Sequence, residues 1–249
     1  MREKVPHDIL PAGLVNLYKP PGPSSATYAY RLRRVFGIRK IGHAGTLDPF
    51  ADGVLLVCVG SATKLVEQLM GLPKHYRTTL RLGVTNRSFD TELPFSPVEG
   101  AAPPSEAEIE AALVGFRGEI EQVPPVFSAV KVEGVASYHL ARRSEAVEGK
   151  PKSVRIDRIE LLEYAWPLVT MEIHCGRGTY VRGIARDLGK LLGCGACCQT
   201  LTRTAVGPFG VDDSVRLQTM PPEQVRLALI PPSQVLDLVN AASHQRPGP

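Results

Sequence analysis

Apolar residues recur along this chain in two rhythms, and the changes between them predict its elements. Leu14-Val15-Asn16-Leu17-Tyr18 is a short apolar strand. Lys19-Pro20-Pro21-Gly22-Pro23 stops it, because proline brings no N–H to a ladder and stiffens a turn. Ser24 or Ser25 can cap the helix predicted over about 25–36, with Tyr28, Leu32 and Val35 inward and arginines outside. Val54-Leu55-Leu56-Val57-Cys58-Val59 is apolar at every position and rich in β-branched residues, so it reads as a buried strand. Ala62 to Met70 has helical spacing with Leu65, Val66 and Leu69 facing in, and Tyr76 to Gly83 alternates apolar with basic residues, as a half-exposed strand does.

Further on, Pro94 to Pro104 is proline-rich without periodicity and predicts a surface connection. Glu106 to Phe116 is an amphipathic helix introduced by Ser105, with Glu108 placed for a capping box. Pro124-Pro125 kinks the start of a strand predicted within 120–132, Glu133-Gly134 turns the chain, and Tyr138 to Arg143 resembles a short helix. Val154 to Tyr164 and Leu168 to Cys175 read as two strands. Thr179 to Leu192 is helical, with Tyr180, Ile184, Leu188 and Leu191 on one face and Gly193-Cys194-Gly195 as its stop. Residues 216–249 carry Pro221-Pro222 and Pro231-Pro232; they can supply a helix or two but no independent core. Strands and helices mix with no repeated βαβ rhythm and no internal repeat, which predicts an α+β fold with a mixed, mostly antiparallel sheet and flanking helices.

Composition narrows the class. With 249 residues, 43% hydrophobic and 22% charged, the chain suits one substantial globular core with a small appendage. No apolar run approaches the ~20 residues of a membrane helix, and the first residues, Met1 to His7, lack a secretory segment. The expectation is a cytoplasmic protein without a membrane. The net charge of +4 is mild, but Arg31, Arg33, Arg34, Arg39 and Lys40 stand within ten residues with no acid among them. Such clustering fits a surface that meets phosphate. The five cysteines, Cys58, Cys175, Cys194, Cys197 and Cys198, are odd in number and unlike a secreted disulfide framework. Cys194 and Cys197 have CxxC spacing, yet no second pair completes a tetrahedral site, so reduced, mostly buried thiols are expected and no metal.

The richest stretch is Ile41-Gly42-His43-Ala44-Gly45-Thr46-Leu47-Asp48-Pro49-Phe50-Ala51-Asp52-Gly53, a glycine-punctuated loop with a His and an Asp that runs into the buried strand at 54. An acid in an irregular loop against the end of a core strand can be held rigidly and still meet a substrate. The plainer alternative is a tight turn in which Asp48 bonds local backbone and Pro49 fixes the bend.

This loop closely resembles the signature of the TruB family of tRNA pseudouridine synthases. Four more blocks resemble that family in order. They are Lys19-Pro20-Pro21-Gly22-Pro23-Ser24-Ser25, Lys74-His75-Tyr76-Arg77, Cys175-Gly176-Arg177-Gly178-Thr179-Tyr180-Val181-Arg182, and Leu191 to Ala196 followed by Leu201-Thr202-Arg203. The resemblance covers roughly residues 13–210. It implies a pseudouridine synthase fold with a catalytic domain over 1–215, an RNA-gripping insertion at about 124–152, and a short extension over 216–249, too short for a complete PUA domain. It implies isomerisation of uridine 55 in the T loop of tRNA, with no cofactor, no guide RNA and no obligatory protein partner. By the same resemblance Asp48 is the essential carboxylate, Arg182 its cation, and Tyr76 the residue that stacks on the uracil and moves a proton. Lys19 supports the loop, His43 replaces the flipped base, Tyr180 and Leu201 shape the pocket, Asp90 matches a family acid, and Arg142 and Arg143 grip RNA. Arg87 stands where the family favours an acid, a departure. Three rival readings are an RNA-folding factor that keeps the scaffold, a guide-RNA-dependent pseudouridine synthase, and a metal-dependent hydrolase using His43, Asp48 and His75, whose spacing is no recognised ligand pattern.

Overall fold

The computed structural model describes residues 11–125, 131–132, 135–136 and 149–244. Its chain forms two compact units: residues up to Leu72 together with those from Arg203 onward, and the intervening Pro73–Thr202.

In the first unit, β1 (Gly13–Lys19) runs antiparallel to β3 (Asp52–Val59), and β2 (Ile41–Ala44) pairs antiparallel with the C-terminal half of β3. The continuous apolar run in β3 is explained by two cores, one against each face. Val54, Leu56 and Cys58 join Leu14, Leu69, Val206, Phe209, Val235 and Val239. Leu55, Val57 and Val59 join Val15, Leu17, Tyr28, Leu32, Val215 and Val225. Successive side chains of a strand point to opposite faces, so a strand covered on both sides cannot alternate polar with apolar.

The helix expected over about 25–36 is divided into Ser25–Ala29 and Leu32–Phe36. The break is made by i→i+3 bonds, from Arg31 N to Tyr28 O at 3.2 Å and from Arg33 N to Tyr30 O at 3.1 Å, which tighten the chain between the two pieces. Tyr28 and Leu32 are nevertheless both fully buried, as the spacing requires. Ala62 to Met70 likewise resolves into a 3₁₀ stretch, Gly60–Leu65, and an α-helical turn, Val66–Met70. Two further helices, Pro222–Leu227 and Pro232–His244, lie in the C-terminal segment.

The second unit is built on β4 (Lys74–Leu82), β7 (Gly118–Gln122), β10 (Lys152–Ala165) and β11 (Leu168–Cys175), in the order β4-β11-β10-β7, every pair antiparallel. Two short antiparallel ladders, β5 (Val84–Thr85) with β6 (Ser96–Pro97) and β8 (Lys131–Val132) with β9 (Val135–Ala136), are separate sheets. Of the strand that sequence places within 120–132, residues 126–130 lie outside the described residues; β7 ends at Gln122, before the two prolines, which have no N–H to continue it, and Lys131–Val132 is again a strand. The helix expected at Tyr138 to Arg143 lies outside the described residues. Glu106–Val114 carries the anticipated capping box between Ser105 and Glu108. Val181–Leu191 buries Val181, Ile184, Ala185 and Leu188, but Leu191 falls off that stripe in the last turn and is 64% exposed, contrary to expectation.

β12 (Ala196–Val206) begins in the second unit and ends in the first, where β13 (Phe209–Gly210) pairs with it. Among the described residues no helix is long and apolar enough to cross a membrane. All five cysteines are reduced and buried. Burial pushes Cys58 up to about 12 and Cys197 up to about 11, so neither ionises as a nucleophile or ligand near neutrality.

Candidate active site

In the first unit the Asp48 loop leaves β2 at Ala44 and enters β3 at Asp52. Asp48 is half-buried. Around it the backbone is fastened by three buried side chains. Lys19, fully buried at the end of β1, donates all three ammonium hydrogens to carbonyls: Pro20 at 2.9 Å, Pro49 at 3.1 Å and Ala51 at 2.7 Å. Ser25 bridges the backbone of Leu47, its hydroxyl donating to the carbonyl and accepting from the N–H, each at 2.8 Å. Arg203, 1% exposed, donates from Nε to Val54 O at 2.8 Å and from Nη2 to Gly45 O at 3.0 Å. Gly53 is required here: its φ is +104°, and a Cβ would lie 2.2 Å from the Arg203 carbonyl oxygen.

The result is a carboxylate-bearing loop flanked by two buried cations, each bonded to backbone carbonyls. His43 sits half-buried, its Nε2 3.3 Å from Thr46 Oγ1. Burial first, and the Arg203 charge second, lower its pKa, so the ring is neutral at pH 7.

In the second unit Arg182 occupies the first turn of the Val181–Leu191 helix, where the helix dipole opposes a cation. Asp90 answers that cost. Arg182 Nη1 lies 3.2 Å from Asp90 Oδ2 and donates to Ser88 O at 3.1 Å; the two side chains are 3% and 1% exposed. The other carboxylate oxygen of Asp90 accepts from Ser88 Oγ at 2.6 Å and from Glu92 N at 2.9 Å. Asn86 completes the knot by donating to Asp90 O and Leu93 O. Phe89 holds a positive φ of 55°, an uncommon conformation for a large side chain that the surrounding bonds over-determine.

The start of the same helix is fixed by Gln122 of β7, whose amide accepts from Tyr180 N at 2.8 Å and donates to Tyr180 O at 3.0 Å. Gly183 leaves room for it, since a Cβ there would be 2.7 Å from the Gln122 amide nitrogen. Tyr180 is half-buried, Leu201 is 6% exposed, and Tyr76 is 9% exposed on β4, opposite Ile173 of β11.

The residues expected from sequence thus fall into two sets. Lys19, His43 and Asp48 belong to the first unit; Tyr76, Asp90, Tyr180, Arg182 and Leu201 belong to the second. Arg142 and Arg143 lie outside the described residues. Four supporting side chains were given no role at the site by sequence reasoning: Ser25, Gln122, Arg203 and Ser88. Arg203 carried a usable signal, because it sits two places beyond buried Leu201 on one strand and therefore shares its face. Ser25 stood in the block from Lys19 to Ser25 and was read only as a helix cap; Ser88 and Gln122 carried no signal. Among the described residues no cluster of His, Cys, Asp and Glu is arranged to hold a metal ion.

Comparison with known proteins meets this geometry. Residues 33–181 match the N-terminal domain of TruB family pseudouridylate synthases, and residues 182–228 match the tRNA pseudouridylate synthase B C-terminal domain. The chain is 45% identical over 220 residues to tRNA pseudouridine synthase B of Syntrophobacter fumaroxidans, covering 88% of this chain and 70% of that protein. It is 37% identical over 224 residues to the protein of the same name from Clostridium tetani, covering 90% and 78%. Among solved structures it resembles a Cbf5–Nop10–Gar1 complex, at 26% identity and a TM-score of 0.71, over 98% of this chain and 70% of the other. With a matched domain over more than half its length, and relatives of such identity, this chain belongs to the TruB family of pseudouridylate synthases.

Proposed function

We propose that this chain isomerises uridine 55 in the T loop of tRNA, with Asp48 as the reacting carboxylate. The observation that carries the reading is the fastening of the Asp48 loop by Lys19, Ser25 and Arg203. A covalent step tolerates only small misplacement of its nucleophile, and buried anchors on both sides of the loop supply that rigidity. The activity named for the relatives, tRNA pseudouridine synthase B, supports tRNA as the substrate.

In this mechanism the target base leaves the RNA stack before anything else happens, because its reacting atoms are shielded there. The bond from ribose C1′ to N1 breaks, the uracil turns, and C1′ joins C5. C5 then loses its hydrogen to solvent while N1 gains a proton, so atoms balance without oxidant or reductant and no cofactor is called for. Asp48 serves as nucleophile or as partner to the ribose cation. Arg182, itself fixed by Asp90, serves as the cation of the reaction, a guanidinium that does not lose its charge. Tyr76 stacks on the uracil, and its phenol relays the C5 proton to solvent, passing its own hydroxyl proton to water as it takes that one. Tyr180 and Leu201 line the pocket, His43 fills the place of the departed base, and Arg142 and Arg143 hold RNA phosphates.

The test is tritium release from 5-labelled uridine in a T-arm transcript, comparing the native chain with Asp48→Asn. The expected result is turnover by the native chain and none by the variant, with RNA binding kept. Undiminished release by Asp48→Asn removes the proposal. The same assay weighs a second reading, suggested by the likeness to the Cbf5–Nop10–Gar1 complex, in which other macromolecules must be present. Turnover of the bare transcript by this chain alone rules that reading out.

A further inference from the structure

Four residues beyond Asp48, Asp52 opens β3 with a second carboxylate. Its Oδ2 accepts from Tyr18 Oη at 2.8 Å. Its Oδ1 is buried and has no hydrogen-bond partner among the described residues. The Tyr18 ring in turn carries a cation on its face, with the Arg216 guanidinium 3.8 Å from the ring centroid. Arg216 arrives from the C-terminal segment directly after Val215, whose backbone is bonded to Tyr18 N at 2.9 Å and Asn16 O at 2.8 Å. Three residues from distant parts of the sequence therefore form one chain, Arg216 on Tyr18 and Tyr18 on Asp52.

Nothing in the reaction outlined above uses this group. A half-satisfied buried carboxylate is costly, and it lies one residue from Ala51, whose carbonyl receives the shortest bond of Lys19. An unscreened charge at Asp52 would disturb that turn and repel a negative Asp48 on the same loop. The phenol removes part of the charge by donating to it. The guanidinium over the ring stabilises the polarised phenol electrostatically.

We infer that Tyr18, Asp52 and Arg216 are positioning residues for the Asp48 loop, acting on the rate of isomerisation and not on RNA affinity. The inference rests on Asp48 being the reacting carboxylate. Tyr18→Phe removes only the hydroxyl, and it leaves both Asp52 oxygens without the phenol. In the tritium-release assay kcat on the T-arm transcript falls about fivefold, the weight of one ordinary hydrogen bond, with KM unchanged. Adding Asp52→Asn to Tyr18→Phe removes the stranded charge and restores kcat to within about twofold of native. Arg216→Gln, an exposed change that does not threaten folding, lowers kcat in the same direction and by less. Combined with Tyr18→Phe it adds no further loss, because both act through one group.

Three outcomes overturn the inference: kcat unchanged in Tyr18→Phe, a loss confined to KM, or a double variant no better than the single one. They are separable from failure of the underlying reading. If Asp48→Asn abolishes turnover while Tyr18→Phe and Arg216→Gln do nothing, Asp48 keeps its role and the positioning chain loses its own.

Discussion

At the scale of single residues, the most informative choices are polar groups placed where water cannot reach. Lys19, Asp90, Arg182 and Arg203 are each 3% exposed or less, and each is matched by carbonyls or an opposite charge. Breaking such a set from one side costs more than forming it gains, since the partner stays buried and uncompensated. His43 differs, for its environment excludes charge. Burial and the Arg203 cation lower its pKa below the ordinary value of about 6.5. As pH falls, the unfolded chain takes up this proton first, so unfolding is favoured. Stability from keeping His43 neutral is thus fully present above about pH 6.5 and is lost as pH falls from there through the folded value. His75 behaves in the same sense, through burial and then the charge of His174. His43→Gln is expected to flatten part of the fall in Tm between about pH 7.5 and about pH 5, measured by calorimetry. Parallel curves for native and variant proteins would show that His43 contributes nothing.

At the scale of elements, legibility followed local self-sufficiency. The Glu106–Val114 helix was readable because its cap, Ser105 with Glu108, lies in adjacent sequence. The β3 strand was readable because burial on two faces leaves no polar position. The split of 25–36 into two short helices had no sequence signal, since Tyr30 and Arg31 are not helix breakers and the break lies in backbone bonding. The Asp48 loop was legible as a motif, yet Ser25 and Gln122 owe their roles to partners 22 and 58 residues away. Two cores on one strand also make a prediction. Val54 belongs to one cluster and Val57 to the other, and they are about 10 Å apart along the strand. Val54→Ala and Val57→Ala should each cost about 2 kcal/mol in chemical denaturation. The double variant should lose their sum to within about 0.5 kcal/mol, because the two share no partners. A coupling above about 1 kcal/mol would mean that the cores communicate through the backbone of β3.

At the scale of the whole molecule, the feature least visible in sequence is that the chain leaves its first unit at Leu72 and returns at Arg203. Composition shows no boundary at either point, as β12 runs through the second without a break. The returning segment does more than lengthen the protein. Leu14 and Ile230 exchange both backbone hydrogen bonds at 2.9 Å, and Val215 exchanges bonds with Tyr18 and Asn16. These bonds cover the edge of β1 that β3 does not pair. Val225, Val235 and Val239 meanwhile close the two cores, and Arg226 Nε reaches Val35 O at 2.7 Å. An uncovered strand edge is a template for pairing with another chain, and an opened core adds apolar surface beside it. A chain cut after Val215 should therefore aggregate at concentrations where the full chain stays dispersed, as followed by light scattering. It should also lose its cooperative thermal transition. A milder variant separates the two causes: Val235→Ala opens one core by about 2 kcal/mol and leaves the edge covered, so it should lower Tm without inducing association. Should the cut chain melt cooperatively and remain dispersed, the C-terminal segment is dispensable, and β1 must be protected by its own sequence.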